Sequence, residues 1–158
     1  MIVQPAPARD EIVDGTLRSW TVTKYWHEWC AILVRALKTC DAQVGRVAST
    51  SNAATIGASD IPLTRTTSGL YAIRYYVRVT RAATSSSSLT VVIAWTDGGV
   101  ACQHTGAALT GNTTATTQSG TVVARLDAGT VPRYAVTYAT SGATTALYAV
   151  DISVQEIP

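Results

Sequence analysis

Charged side chains are scarce in this chain, and those present are scattered. Asp, Glu, Lys and Arg make up 14% of the 158 residues, against about 25% in typical soluble domains. The formal net charge is +2 and the basic residues form no stripe, so the electrostatic footprint of a nucleic-acid-binding protein is missing. We therefore expect no nucleic-acid partner. So little charge is typical of a protein whose surface is largely covered by copies of itself or by other subunits.

Cysteines and long apolar runs are also few. The three cysteines, Cys30, Cys40 and Cys102, form no Cys-x-x-Cys pair, and an odd number makes no disulfide framework. We interpret them as buried free thiols of a protein made in a reducing compartment. No apolar run approaches the roughly 18 residues that span a bilayer, and the first residues lack the basic start and apolar centre of a signal peptide. We expect a soluble protein that has no membrane partner and no such export signal.

The motifs of well-known enzyme classes are missing as well. The chain contains no Gly-x-Ser-x-Gly, no His-Glu-x-x-His and no phosphate-binding Walker loop. Its few carboxylates offer no pair of the kind that a glycosidase uses. His27 and Cys30 are spaced to share a metal on a helix, with Glu28 beside them, but zinc needs three or four converging ligands. We therefore predict no metal and no cofactor, and interpret His27 as a solvated or interface side chain.

What the chain does contain falls into three zones. Residues 1–17 include Pro5 and Pro7 without apolar periodicity, which is typical of an extended arm. Residues 18–41 are the helical candidate. Residues 44–158 alternate between polar and apolar side chains and predict a β domain.

An apolar stripe runs along the helical zone with spacings of four and three residues, as in the seam of a short coiled coil or the buried side of an amphipathic helix. The predicted interface positions are Val22, Trp26, Trp29, Leu33 and Ala36. Such a helix can pack on its own β domain or pair with copies of itself. Because aromatic side chains occupy more than one of its faces, we favour self-association or docking to a larger assembly. A short coiled coil beneath a β head is most naturally a homotrimer.

Strict alternation marks the strands of the β zone. Three sets of residues are predicted to face inward: Tyr71, Ile73, Tyr75, Val77 and Val79; Leu89, Val91, Ile93 and Trp95; Tyr148, Val150, Ile152 and Val154. The third set belongs to a strand predicted at 145–156, and further strands are predicted at 45–50, 53–57, 100–105, 119–126 and 133–140. Seven or eight short strands separated by turn-forming residues predict an all-β fold, an antiparallel β-sandwich of jelly-roll or related kind.

The stretch IAWTDGGVACQHTGAALTGN contains the predicted core hairpin. If Gly98 and Gly99 are the central residues of a tight turn, Trp95 faces Cys102 across the two strands. Centring the turn on Asp97 and Gly98 gives the same assignment of faces. We predict that Trp95, Gly98, Gly99 and Cys102 build this hairpin, with Cys102 in the core.

The same stretch gathers three chemically capable side chains, Asp97, Cys102 and His104. A Cys–His nucleophilic pair requires hydrogen-bond contact, whereas side chains two residues apart on one strand lie roughly 7 Å from each other. A small hydrolase built on these residues is therefore our least favoured hypothesis, and we predict that the protein is not an enzyme.

Residues 68–157 resemble a β domain found in many virion proteins of tailed bacteriophages. The resemblance lies in the stretches SSSLTV, WTDGG, GAALTGNTT and YATSGAT, and in a short aromatic helix before the domain, here WHEWCAIL. It implies a non-enzymatic structural protein of the particle, such as a capsid decoration or fibre-base component, that is trimeric and carries no catalytic residues. The absence of a shaft favours a compact component over a long fibre.

The implied partners are further copies of the chain and other virion proteins, such as capsid, portal or tail subunits. The implied location is a virion assembled in the host cytoplasm. The alternative hypothesis is a receptor- or glycan-binding module of a head or tail fibre that recognises a host surface glycan. In that case we expect exposed turn residues such as Tyr76, Asp127 and Tyr134 to contact the sugar.

Overall fold

The computed structural model describes residues 26–32 and 43–157. The chain divides into two compact units, Met1–Lys38 and Thr39–Pro158. In the described part of the first unit, residues 26–32 form a helix, α1. The described part of the second unit contains eight strands: β1 (Gln43–Asn52), β2 (Ile56–Asp60), β3 (Gly69–Arg81), β4 (Ser86–Asp97), β5 (Val100–Thr105), β6 (Thr117–Leu126), β7 (Arg133–Ser141) and β8 (Leu147–Ile157).

These strands form two antiparallel four-stranded sheets. The first sheet has the order β1-β8-β3-β6 and the second the order β2-β7-β4-β5. This strand order is that of a jelly roll, in which two Greek keys fold into a double-sheet sandwich. The predicted all-β antiparallel sandwich of jelly-roll kind is confirmed.

The core lies between the two sheets and is built by the alternating residues of the central strands. On β3, Ile73 and Val77 are fully buried, whereas Arg74 and Arg78 point to solvent from the opposite face. The inward sets predicted on β4 and β8 are buried too, except that Trp95 is only partly buried while packing against the core. The two-residue alternation of the sequence therefore predicted correctly which side chains face the core, because successive side chains of a strand point to opposite faces.

Strand bounds differ most from expectation at β2, which was predicted at 53–57 and runs from Ile56 to Asp60. The bounds follow its pairing with β7, where Asp60 lies opposite Arg133. The backbone N–H of the next residue, Ile61, donates to the carbonyl of Pro132 (2.8 Å), and the Ile61 side chain is fully buried. Tertiary pairing thus displaces the strand toward the residue that enters the core.

Every residue of α1 is exposed, including Trp26 (59%) and Trp29 (51%). The two indole rings meet edge to face, with centroids 5.5 Å apart, an arrangement that aromatic pairs favour. No helix in the described part of the chain has the length and apolar character to cross a membrane. The other predicted interface positions and the predicted arm lie outside the described residues: Val22, Leu33, Ala36 and residues 1–17.

Candidate functional site

The β4–β5 hairpin has the predicted register. Trp95 lies opposite Cys102 and Asp97 lies opposite Val100, which leaves Gly98 and Gly99 as the two turn residues. Their φ angles are 58° and 77°. A two-residue turn that matches the twist of the strands needs positive φ at both central positions, a conformation that glycine adopts without steric cost.

The two glycines also bind a carboxylate of their own chain. Asp127 accepts a hydrogen bond from the N–H of Gly98 through Oδ1 and one from the N–H of Gly99 through Oδ2, both at 2.9 Å. Hydrogen bonds from Gly99 and Gly98, together with the positive charge of Arg125, hold the pKa of Asp127 below its usual value. Consecutive backbone N–H groups in a turn form a concavity for an anion, and here Asp127 occupies it.

Cys102 does not lie in the core, contrary to prediction. It is partly exposed, and its Sγ donates to the carbonyl of Val100 at 3.7 Å. The reason is that β5 is an edge strand, with β4 as its only neighbour among the described strands, so its inward face lies at the margin of the sandwich. Cys30 on α1 is exposed, which also contradicts the prediction of a buried thiol, and Cys40 lies outside the described residues.

Asp97, Cys102 and His104 do not converge. In the described part of the chain no hydrogen bond joins Cys102 to His104; the His104 ring lies near Tyr75, with centroids 6.4 Å apart. His104 pairs with Ile93, four residues before Asp97 on β4, a separation of roughly 13 Å along a strand. Asp97 instead faces Arg125, Oδ1 to Nη1 3.9 Å.

A metal site is not formed by the described residues either, because no three His, Cys, Asp or Glu side chains among them come together. His27 and Cys30 both lie exposed on α1. No other described residue joins His27 and Cys30 as a third metal ligand.

The residues predicted to contact a glycan do not share a surface. Tyr134 is buried (9% exposed) on β7 of the second sheet, so its predicted exposure is wrong. Tyr76 is exposed but lies within β3 of the first sheet rather than in a turn. Asp127 is engaged by the hairpin glycines. Alternation explains the error, since Tyr134 follows the exposed Arg133 at the start of β7 and so points inward.

A depression of about 510 Å³ opens on the outer face of the first sheet. Cross-strand register builds it from two rows. Each row crosses β8, β3 and β6 and consists of residues that face outward. One row is Ser153, Arg74 and Thr121, and the neighbouring row is Asp151, Tyr76 and Ser119. Its lining residues are Arg74, Tyr75, Tyr76, Ser119, Gly120, Thr121, Asp151 and Ser153.

Gly120 lets the Tyr75 side chain approach β6 on the core face of the first sheet. It lies opposite Tyr75, and a Cβ atom on Gly120 would stand 2.4 Å from the Tyr75 ring. The Tyr75 ring thus fills the space that a side chain at position 120 would need.

Asp151, at the rim, is held by Arg46 from β1. Arg46 Nε donates to Oδ1 at 3.2 Å, and Nη2 donates to Oδ2. The hydrogen bonds and the charge of Asp151 raise the pKa of the Arg46 guanidinium. A two-point contact of this kind fixes the carboxylate in one orientation.

Arg74 and Arg78 differ from the other described arginines. Each of the others binds an acceptor: Arg46 with Asp151, Arg65 with Glu156, Arg81 with the Thr145 carbonyl, Arg125 with Asp97, and Arg133 with Asp60. Within residues 43–157, the side chains of Arg74 and Arg78 make no hydrogen bond and no ion pair. They flank the exposed Tyr76 on the same face of β3. The alternation of β3 already placed Arg74, Tyr76 and Arg78 outward, but nothing in the sequence showed which arginines lack a partner.

Comparison with known proteins assigns no family. No family model matches the chain, and no curated protein matches it. The resemblance of residues 68–157 to phage virion domains therefore stays a prediction.

Proposed function

We propose that the protein is a non-enzymatic structural component of a phage virion, an oligomer that associates through its aromatic helix. The observation that carries this proposal is the exposed apolar side of α1, where Trp26, Trp29 and Ile32 are each more than half exposed. Tryptophan is enriched in the buried centres of interfaces. Jelly rolls occur in viral capsid proteins as well as in lectins and cupins, so the fold is compatible with the proposal.

The size of the exposed tryptophan surface bears on the strength of association. Covering what remains exposed of Trp26 and Trp29 would remove on the order of 200 Å² from water, about 5 kcal/mol per chain. Association costs roughly 4–15 kcal/mol in lost freedom. The two tryptophans alone therefore support a weak oligomer, and a stable trimer needs additional apolar contacts.

One end of the first sheet offers such contacts on its outer face. Leu70 lies directly opposite Ile157 in the register, and Val123 is on the neighbouring strand β6; all three are exposed. Clustered exposed apolar side chains on a chain so poor in charge favour a neighbour that covers them. A second copy of the chain is the neighbour we propose.

The mass of the full chain in solution tests self-association. Light scattering during size-exclusion chromatography at micromolar concentration should give a trimer. A Trp26→Ser, Trp29→Ser double variant should shift to monomer while its circular dichroism stays unchanged. The control is Val100→Ser, which alters another exposed apolar residue on the hairpin and should leave the trimer intact.

The virion assignment has its own test. Quantitative mass spectrometry of purified particles of the encoding phage should find the chain in a copy number that is a multiple of three. A monomeric wild-type chain would overturn the oligomer, and absence from the particles would overturn the structural role.

A further inference from the structure

The outer face of β3 combines two unpartnered cations with an exposed aromatic ring. Arg74 and Arg78 stand two residues to either side of Tyr76, which is 44% exposed. Alternate residues on a strand are separated by roughly 7 Å, so the Cα atoms of Arg74 and Arg78 lie roughly 13 Å apart with Tyr76 between them. Neither arginine has an acceptor among the described residues, so both are free to bind an external anion.

Hydroxyl groups and a fixed carboxylate surround the ring. Ser119, Thr121 and Ser153 line the depression, and Asp151 is held at its rim by Arg46. Serine and threonine hydroxyls can donate and accept, whereas the Asp151 carboxylate only accepts. A ligand rich in hydroxyl groups satisfies both kinds of partner, and the depression of about 510 Å³ has the size of a small-molecule site.

We propose that this face binds an acidic carbohydrate. A sugar ring packs on Tyr76, its hydroxyls bond to Asp151 and to the surrounding serine and threonine hydroxyls, and its carboxylate binds Arg74 or Arg78. Guanidinium groups recognise carboxylates through paired N–H donors. The phenol ring supplies an apolar face with a polar tip, suited to a partly wet contact.

Other classes of partner fit this face less well. A nucleic acid would need a basic stripe that neutralises many phosphates, whereas this face offers two free arginines beside an Arg46–Asp151 pair that is neutral overall. A protein hot spot would need a deep, desolvated pocket for an anchor residue, whereas hydroxyls and charges line this depression. An acidic sugar matches both the hydroxyls and the limited positive charge.

Matched pairs of sugars test the proposal on the full chain. The probes are sialyllactose against lactose, and an oligogalacturonate against its methyl ester, measured by isothermal titration calorimetry. At least one acid should bind at least tenfold more tightly than its neutral counterpart, because a hydrogen bond to a charged group discriminates by about that factor. Its affinity should fall as salt is raised.

Variants connect the binding to these residues. Arg74→Gln with Arg78→Gln should abolish the preference for the acid, and Tyr76→Ser should weaken both members of a pair at least tenfold. The matched control is Arg133→Gln, which removes an exposed arginine from the second sheet and should bind like wild type. Thermal melting checks that every variant is folded.

Several results would overturn the proposal. They are equal binding of acid and neutral sugars, no binding of either acid at millimolar concentration, unchanged binding by the double arginine variant, or tighter binding of a single-stranded oligonucleotide through the same arginines. The Trp26→Ser, Trp29→Ser variant should keep its sugar affinity because the site lies within one chain. Failure of the oligomer proposal is thereby distinguishable from failure of this one.

Discussion

The β4–β5 hairpin and the outer face of the first sheet both present polar side chains at the surface, but these differ in what they bind. At the hairpin, the two turn N–H groups bind Asp127 and Asp97 faces Arg125. On the outer face of β3, Arg74 and Arg78 have no acceptor among the described residues. The hairpin uses its polar groups to hold the fold, whereas the sheet face leaves some of them open to a ligand.

This difference shows that closeness in sequence is a poor guide to a site. Strand residues that are near neighbours in the chain, such as Cys102 and His104, are held apart by the extended backbone. Residues from three distant strands, such as Ser119, Tyr76 and Asp151, become neighbours through cross-strand register. We expect substitutions to separate the two roles by their effects on stability, from the largest to the smallest.

The sharpest contrast should come from two adjacent residues of β3. Ile73→Ala removes a fully buried side chain and should lower the free energy of unfolding by about 2–5 kcal/mol. Arg74→Ala, on the opposite face, should change it by no more than about 0.5 kcal/mol. Urea unfolding followed by circular dichroism measures both. Equal losses would mean that Arg74 belongs to the framework of the fold and not to an open surface.

Gly120→Ala should have the next largest effect. The new Cβ would stand 2.4 Å from the Tyr75 ring, and overpacking of this kind costs about 1–3 kcal/mol. The control is Gly57→Ala on β2, where a Cβ meets nothing within 4 Å; that change should be close to neutral. Midpoints of urea unfolding compare the two variants. A neutral Gly120→Ala would show that Tyr75 does not need this space.

At the hairpin, Gly98→Val should cost about 1–2 kcal/mol because a β-branched residue is strained at positive φ. Gly98→Asn should cost little, since Asn-Gly is the preferred pair for a two-residue turn of this kind. Thermal unfolding of both variants tests the role of the turn. If valine were tolerated as well as asparagine, the positive φ of 58° at Gly98 would not be what selects glycine there.

The smallest effect should come from Asp127→Asn, and it should depend on pH. The folded pKa of Asp127 lies below its unfolded value, which is about 3.9. Its stabilising contribution is therefore fully present above pH 3.9 and is lost as pH falls through the folded pKa. The melting temperature of wild type should exceed that of the variant at pH 7, and the gap should narrow below about pH 4. A gap that widens in acid would contradict this assignment of Asp127.

Local chain geometry explains which parts of the fold could be predicted. Alternation along β3 and β8 placed their buried residues correctly, and glycine at 98 and 99 predicted the turn. Partner choice was not visible in the same way, because β3 pairs with β6 and β8, which lie far along the chain. Cys102 shows the consequence: its face was predicted correctly, but its burial was not, since only the sheet order makes β5 an edge.

The structural roles of Asp127 and Asn112 were missed for the same reason. Asp127 directly follows β6 and binds a turn 28 residues away at Gly99. The Asn112 side chain accepts from the N–H of Ala83 at 2.8 Å and donates to its carbonyl at 2.9 Å, which ties two loops together. Polar residues near turns are common, and their sequence does not say which distant backbone groups they will bind.

The sequence alone determined the strand faces, the tight turn and the outward position of Arg74, Tyr76 and Arg78, because these follow from steric rules that act between near neighbours. Only the tertiary structure decided the sheet order, the edge position of β5, and the meeting of β3 with Ser119 and Asp151. Those features depend on hydrogen bonding and packing between segments far apart in the chain. The candidate site is therefore a product of register, while its central residues were already visible in the alternation of one strand.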